Sequence, residues 1–346
     1  MKIGVTDNLI PQNAALPNAQ KLAIFNSAGQ RVYTAPLGHL SQKSLGEKLY
    51  SFGAISDIHL QYDTAQEDFR KALTYLNKTE SVSFTCICGD LTEKGTDENM
   101  AVYKSYVDTY SPNTPVYEIA GNHESYTKDW GQNGEETVKR LMKTYTGKED
   151  LCYSFTRGDD VFIMVGICAD GADFGTGGLQ KLYGMLEENR NKRCFVFQHI
   201  RPDDACGNAY GIYANDIWNG PQSVVFENLM NHYKNVIFFH GHSHLRFGLQ
   251  TRTNLANIDE KYGRYSVHIP SLAVPRTGDI TGANSREDLY TESEGYVVDV
   301  YKNHIVLRGR DFVKEEFLPI ATYCLDTTLQ TIKANTFADS TGTIKT

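Results

Sequence analysis

Apolar runs and amphipathic stretches alternate between residues 51 and 124. Three apolar runs, SFGAISDIHL, SVSFTCICGDLTEKG and PVYEIAGNHES, predict buried strands that each end in polar residues. Between them, TAQEDFRKALTYLNK and NMAVYKSYVDTY carry apolar residues at helical spacing and predict two helices. This β–α–β–α–β order is typical of parallel strands joined by crossover helices, and it indicates an α/β fold.

Later parts of the chain predict further strands and divide it into three parts. Four more strand-like runs follow: VFIMVGICAD, RCFVFQHI, VIFFHGHSH and RYSVHIPSLA. A late hairpin in GYVVDVYKNHIVLRGRDF is predicted to turn at Lys302 and Asn303. We expect an N-terminal arm or small β element over residues 1–48, where KLAIFNSAGQRVYTAPL predicts a hairpin. The main domain covers residues 49–315, and a threonine-rich C-terminal tail covers residues 316–346.

Charge and hydropathy limit the classes of molecule that this protein is expected to bind. A net charge of −8 over 346 residues argues against a protein that coats nucleic acid. No stretch approaches the roughly 18–20 apolar residues of a membrane span, and the start MKIGVTDNLIPQNAALPNAQ lacks the apolar core of a secretory signal. The seven cysteines show no CxxC spacing and are typical of reduced thiols. We therefore expect a cytoplasmic protein with no membrane partner.

Residues that can bind a metal follow most of the predicted strands. Five segments supply them: Asp57 with His59, Asp90, Asn122 with His123, His199, and His242 with His244. In open α/β sheets, the loops that leave the carboxyl ends of the strands share one crevice, so these side chains are expected to converge. Residues two apart in an extended chain point to the same side, which lets His242 approach His244.

The ligand types indicate which metals would bind. Carboxylate oxygen together with imidazole nitrogen suits manganese, iron or zinc better than calcium. Seven or eight ligands are too many for one tetrahedral ion, and they fit two ions roughly 3.5–4 Å apart that share one carboxylate. We therefore predict two divalent or trivalent transition-metal ions. His240 lies in the same stretch, FFHGHSHLRF, but fills no position in the pattern, and we expect it to be structural.

At these residues the chain resembles the calcineurin-like metallophosphoesterases. The family motifs are matched in order, over about residues 51–247, by Asp57-x-His59, Gly89-Asp90, Gly121-Asn122-His123-Glu124, His199 and Gly241-His242-x-His244. The resemblance implies the family fold, in which two mixed β-sheets pack face to face as a sandwich with flanking helices. It also implies a small phosphoester as the substrate.

The resemblance further implies a role for each residue. The ligands of the first ion would be Asp57, His59 and His244, and those of the second ion would be Asn122, His199 and His242. Asp90 would bind both ions. A hydroxide that bridges the metals would attack phosphorus in line. His123 would stand unligated near the leaving-group oxygen as an acid or phosphate positioner, so the catalytic residues would be Asp90 and His123. Glu124 would orient a ligand histidine.

Departures from the family motifs narrow the activity. The segment GDLTEKG lacks the arginine that protein Ser/Thr phosphatases carry there, and SDIHL, GDLTEKG and GNHE are most similar to the phosphodiesterase branch. We therefore expect a phosphodiesterase that also accepts phosphomonoesters. Two alternatives stay open: a metal-dependent nuclease, for which the charge of −8 offers no basic track, and a non-catalytic metal-binding scaffold.

Substrate contacts are predicted from position alone. Arg201 lies two residues past a ligand and would contact phosphate through paired hydrogen bonds. The long loop RPDDACGNAYGIYANDIWNG is typical of loops that cover a site, and its Tyr210 and Tyr213 would stack on a base or sugar. Asn122 completes the predicted substrate-binding set.

Overall fold

The computed structural model describes residues 21–25, 31–36, 45–169, 173–202, 205–207, 222–248, 257–260, 262–277, 287–328 and 331–334. In chain order its strands are β1 (Lys21–Phe25), β2 (Arg31–Pro36), β3 (Lys48–Ile55), β4 (Thr85–Ile87), β5 (Val116–Glu118), β6 (Cys152–Arg157), β7 (Asp160–Val165), β8 (Cys194–Gln198), β9 (Val236–His240), β10 (Ile258–Asp259), β11 (Tyr265–His268), β12 (Glu294–Tyr301), β13 (His304–Asp311), β14 (Glu316–Asp326) and β15 (Thr331–Ala334).

The strands form one small hairpin and two mixed sheets. The hairpin pairs β1 with β2 in antiparallel register, as predicted. The seven-stranded sheet has the order β15-β14-β13-β12-β3-β4-β5, in which β3, β4 and β5 pair in parallel and the other neighbouring strands pair antiparallel. The six-stranded sheet has the order β10-β11-β9-β8-β7-β6, with a parallel centre from β11 to β7 and antiparallel strands at both edges.

Helices cover the outer faces of both sheets. They are α1 (Ala65–Thr74), α2 (Asp97–Tyr110), α3 (Glu135–Thr146), α4 (Gly178–Glu188) and α5 (Ser223–His232). Apolar residues of α1, α2 and α3 pack with the outer face of the seven-stranded sheet, and those of α4 and α5 pack with the outer face of the six-stranded sheet. Among the described residues, no helix has the length and apolar character needed to cross a membrane.

A cluster of phenylalanines joins the two sheets. Phe52 of β3 meets Phe162 of β7 edge to face, with ring centroids 5.3 Å apart, and Phe195 of β8 stacks on Phe162 at 4.6 Å. All three rings are fully buried, and truncating such a ring typically costs about 3–5 kcal/mol. Because the rings come from both sheets, the core lies between two sheets that face each other. The predicted sandwich fold is confirmed.

The C-terminal segment contributes more to the sheet than its sequence predicts. Residues 316–346 are predicted as a tail, yet β14 is an eleven-residue strand that pairs with β13 and β15. Tyr323 and Leu325 of β14 are buried in the core between the sheets. A boundary at residue 315 would therefore cut the seven-stranded sheet. Strand formation depends on a neighbouring strand and a covered face, which composition alone does not reveal.

Candidate metal centre

The predicted ligands lie in loops that leave the carboxyl ends of five strands. In chain order they follow β3 (Asp57, His59), β4 (Asp90), β5 (Asn122), β8 (His199) and β9 (His242, His244). Main-chain hydrogen bonds join these loops: Asp57 N donates to Gly89 O (3.1 Å), and Gly241 N donates to His199 O (3.0 Å). The ends of both sheets therefore bring their polar side chains to one place.

Five of these residues adopt a backbone conformation that is rare outside glycine. Their φ angles are 52° at Asp57, 41° at His59, 51° at Asp90, 69° at His242 and 58° at His244. A left-handed φ costs on the order of 1–3 kcal/mol at a non-glycine residue and persists only where the surrounding structure fixes it. Such residues concentrate at functional sites, and their presence at five candidate ligands supports a functional site here.

Two motif glycines allow the loops to pack closely. A Cβ at Gly121 would lie 2.2 Å from Asp90 Oδ1, and a Cβ at Gly241 would lie 2.5 Å from Asp57 Oδ2. Both distances are well below van der Waals contact, so a side chain at either position would displace an aspartate. Close packing of the loops therefore explains why glycine precedes Asn122 and His242 in these motifs.

The candidate ligand atoms form two groups that share Asp90. The groups are Asp57, His59, Asp90 and His244, and then Asp90, His199 and His242, with all ligand atoms of a group within 4.8 Å of one another. Asp90 Oδ2 lies 3.6 Å from His59 Nε2 in the first group and 3.0 Å from His199 Nε2 in the second. The carboxylate of Asp90 therefore belongs to both groups.

Hydrogen bonds at the far ring nitrogen orient three of the histidines. The pairs are His59 Nδ1 with Glu93 Oε2 (2.9 Å), His199 Nδ1 with Cys88 O (2.6 Å) and His244 Nδ1 with Val274 O (3.2 Å). Carbonyl and carboxylate oxygens only accept, so they select the tautomer with its proton on Nδ1. Each Nε2 then presents a lone pair to the centre of the site, as metal-binding histidines do.

Two observations indicate that this set of atoms fits metal ions. Nε2 of His59 lies 3.1 Å from Nε2 of His244, and two lone pairs at that distance repel each other unless a cation lies between them. Asn122 Oδ1 is buried and accepts no hydrogen bond from the described residues, whereas its Nδ2 donates to Tyr126 Oη (3.2 Å). An unsatisfied buried acceptor costs about 1–3 kcal/mol. Cations held by these atoms would relieve both conditions.

The electrostatics favour the metal-binding forms of Asp57, Asp90 and His242, whereas burial of His199 is outweighed by the carboxylates of Asp90 and Asp57, which raise its pKa to about 9. Burial opposes ionisation of Asp57, but the imidazoles of His244 and His199 outweigh it and lower the pKa of the carboxyl. Burial also opposes ionisation of Asp90, and the imidazole of His199 contributes most to holding its pKa well below the usual range. Burial and repulsion by His199 lower the pKa of His242 to about 3. Ionised carboxylates and a neutral imidazole are the forms that bind metal.

Comparison with known families decides the assignment. The family described as calcineurin-like phosphoesterase matches residues 50–246, which is more than half of the chain. The chain belongs to the calcineurin-like phosphoesterase family. The matched range contains every phosphoesterase motif residue from Asp57 to His244.

Solved structures share the phosphoesterase fold at low sequence identity. PhoD is 10% identical with a TM-score of 0.52, and the match covers 90% of this chain and 76% of PhoD. GAP50, described as the anchor in the inner membrane complex of Plasmodium, is 14% identical with a TM-score of 0.54, covering 81% of this chain and 89% of GAP50. None of the curated proteins matches the chain. At such identities the likeness supports the fold alone.

The roles of two glutamates in the phosphoesterase site differ from those that the sequence predicts. The carboxylate of Glu124 accepts hydrogen bonds from Gly121 N (2.8 Å) and Thr92 N (2.9 Å). It thus ties two ligand loops together and, among the described residues, does not orient a histidine, because the main-chain donors of both loops converge on it. Burial raises the pKa of Glu124 to about 7. The orienting carboxylate is Glu93, whose sequence signal is an acidic residue three positions after Asp90.

His123 stands beside the ligand groups that share Asp90. Its Nδ1 lies 2.9 Å from Glu93 O, and its Nε2 lies 4.0 Å from Asp90 Oδ2. It forms a third group of potential ligand atoms with His59 and Glu93. Burial lowers the pKa of His123, but the carboxylates of Asp90 and Glu93 outweigh it and raise the pKa overall.

The predicted substrate contacts lie in different surroundings. Arg201 is only 4% exposed, and its guanidinium donates to Pro202 O (3.3 Å). Its charge contributes to the low pKa of His242. Tyr210 and Tyr213 fall outside the described residues.

His240 is buried, with Nε2 3.2 Å from Ser266 Oγ.

Proposed function

We propose that this protein is a phosphoester hydrolase that uses two metal ions, acts chiefly on phosphodiesters and also accepts phosphomonoesters. The observation that carries the proposal is the position of Asp90. Its Oδ2 lies 3.6 Å from His59 Nε2 and 3.0 Å from His199 Nε2, between the two ligand groups. A carboxylate shared in this way is what a pair of neighbouring ions requires.

The donor atoms favour manganese, iron or zinc. Each group combines carboxylate oxygen with imidazole nitrogen, and within the described residues neither group includes a cysteine. Bound there, such ions would lower the pKa of a water molecule between them and offset negative charge on the phosphoryl oxygens. Asn122 Oδ1 supplies a further oxygen donor.

His123 is the side chain that we assign to the leaving group. Its Nδ1 is held by Glu93 O (2.9 Å), which leaves Nε2 directed toward the cluster, 4.0 Å from Asp90 Oδ2. From this position the imidazole can protonate the departing oxygen or hold a phosphoryl oxygen, a contribution of typically about 10²–10⁴-fold in rate.

The loop after β4 supports a diester as the main substrate. The position where protein phosphatases carry an arginine is Lys94, whose ammonium is engaged by Lys128 O (2.6 Å) and the Trp130 ring and offers no guanidinium fork for phosphate. A diester carries one negative charge and a monoester up to two, so a loop without that arginine suits the diester. The seven free, buried cysteines support a reducing compartment and hence a cytoplasmic protein. The net charge of −8 favours a small substrate over nucleic acid.

The test is hydrolysis of phosphodiesters and phosphomonoesters by protein whose bound metals have been counted. Asp90→Ala should abolish both the pairing of metals and turnover, because it removes the shared ligand. His123→Ala should keep the metals and lose most of the rate. Asp108→Ala removes an exposed carboxylate on α2 and should change neither. Normal turnover by His123→Ala would refute the role of that histidine.

Two other results would point to different functions. Full metal occupancy without hydrolysis of either ester class would favour a scaffold, a possibility that similarity in fold to the anchor GAP50 makes worth testing. Cleavage of DNA at moderate salt, with little activity on small esters, would favour a nuclease.

A further inference from the structure

Trp130 is an exposed aromatic residue next to the candidate catalytic histidine. Its side chain is 56% exposed, and its ring centroid lies 6.2 Å from that of His123 and 5.6 Å from that of Tyr126. A tryptophan normally contributes to stability by burying a large apolar area. At the edge of the site, Trp130 leaves more than half of its side chain exposed and so loses much of this stabilisation. This suggests that a ligand covers the ring.

The loop that presents Trp130 is held in one shape. Thr127 N donates to Gly131 O (2.8 Å), Gly131 N donates to Thr127 Oγ1 (2.8 Å), and Trp130 N donates to Thr127 O (3.1 Å). Trp130 also has a φ of 60°, a left-handed conformation that is strained for a bulky side chain. Strain that is fixed by a hydrogen-bonded turn is typical of a preorganised binding residue.

Lys94 limits the chemistry of the ligand. Its Nζ lies 4.2 Å from the centroid of the Trp130 ring and donates to Lys128 O (2.6 Å). An ammonium in this position opposes the binding of a cationic headgroup on the same ring. It favours a neutral, flat group attached to an anion. A nucleobase carried by a phosphate ester has both properties, and bases stack readily on exposed aromatic side chains.

We propose that Trp130 binds the base of a nucleotide ester, with the nucleoside as the leaving group on the His123 side of the site. The kinetic part of this inference rests on the proposed hydrolase function. The ring of His123 connects the two parts of the site, since it lies against Trp130 on one side and faces Asp90 on the other.

The experiment compares esters that differ only in the base. Adenosine 5′-monophosphate is paired with ribose 5-phosphate, and the methyl diesters of both form a second pair. We expect kcat/KM to favour the adenosine ester by about tenfold. Trp130→Ala should bring this ratio close to one by lowering kcat/KM for the adenosine ester more than for the ribose ester, and Trp130→Phe should keep part of the preference. Tyr183→Ala, at a 44% exposed aromatic of α4, is the matched control and should keep the full preference.

A binding measurement separates this inference from the hydrolase function. Trp130 and Trp218 are the two tryptophans of the chain, so Trp218→Phe leaves Trp130 as the fluorophore. Adenosine 5′-monophosphate should quench its fluorescence, and ribose 5-phosphate should not. Selective quenching without hydrolysis of any ester would uphold the base site and refute the hydrolase. Hydrolysis with no base preference and no quenching would refute the base site alone. Equal loss on both esters in Trp130→Ala would also overturn it, because that is the effect of a structural residue.

Discussion

Replacing Glu93 with glutamine tests how the metal centre is organised. The Glu93 carboxylate is 18% exposed and accepts from His59 Nδ1 at 2.9 Å, which fixes the ring so that Nε2 faces Asp90. Glutamine can still accept this hydrogen bond through its amide oxygen, but without the charge. The perturbation therefore removes electrostatic support from one ligand and leaves the ligand itself in place.

The size of the effect follows from the contact. A hydrogen bond to a charged group contributes about 1.5–3 kcal/mol, and losing the partner of a metal-binding histidine typically lowers metal affinity or activity by about 10–100-fold. Because Glu93→Gln keeps an acceptor, we expect the lower end, about tenfold or about 1.4 kcal/mol. Glu93→Ala removes the acceptor and should approach about 100-fold.

The assay is the affinity for Mn²⁺ or Zn²⁺, measured by competition with a chromophoric chelator, together with kcat/KM on the best ester. Glu98→Gln changes an exposed glutamate of α2 and is the matched control. Circular dichroism should show the same fold in all variants. Wild-type metal affinity in both Glu93 variants would refute the assignment of Glu93 as the residue that orients His59.

Three further predictions concern packing, pH and metal. Gly121→Ala places a Cβ 2.2 Å from Asp90 Oδ1 and should abolish metal binding in a metal count, whereas Gly134→Ala meets nothing within 4 Å and should bind normally. Burial raises the pKa of Glu118 from 4.5 to about 7, so the folded protein holds this proton more tightly, and stability should fall as pH rises through that range. Glu118→Gln should therefore gain up to about 3 kcal/mol more, relative to wild type, at pH 8 than at pH 5 in urea unfolding. Chelation should lower the Tm of wild type by several degrees but leave the Tm of Asp90→Ala unchanged, since only the native site binds metal. An equal Tm shift in both proteins would contradict metal binding at Asp90.

The sequence alone determined the strands that lead to the site and the candidate ligands. Strands that are buried on both sides are apolar along their length, so β3, β4, β8 and β9 stand out, and the polar residues that follow them are visible in the chain. The order of the motifs was sufficient to indicate the family. These features are local, because a few consecutive residues define each of them.

Tertiary structure decided which atoms meet. Val274 O and Cys88 O orient His244 and His199 across separations that no spacing rule connects. The position of Asp90 between two groups of ligands depends on how the two sheets pack, because each sheet brings its own strand ends to the site. Trp130 approaches His123 through a turn whose hydrogen bonds set the direction of the ring. The pairing of β14 depends on β13, since a strand is stabilised by its neighbours as well as by its own residues.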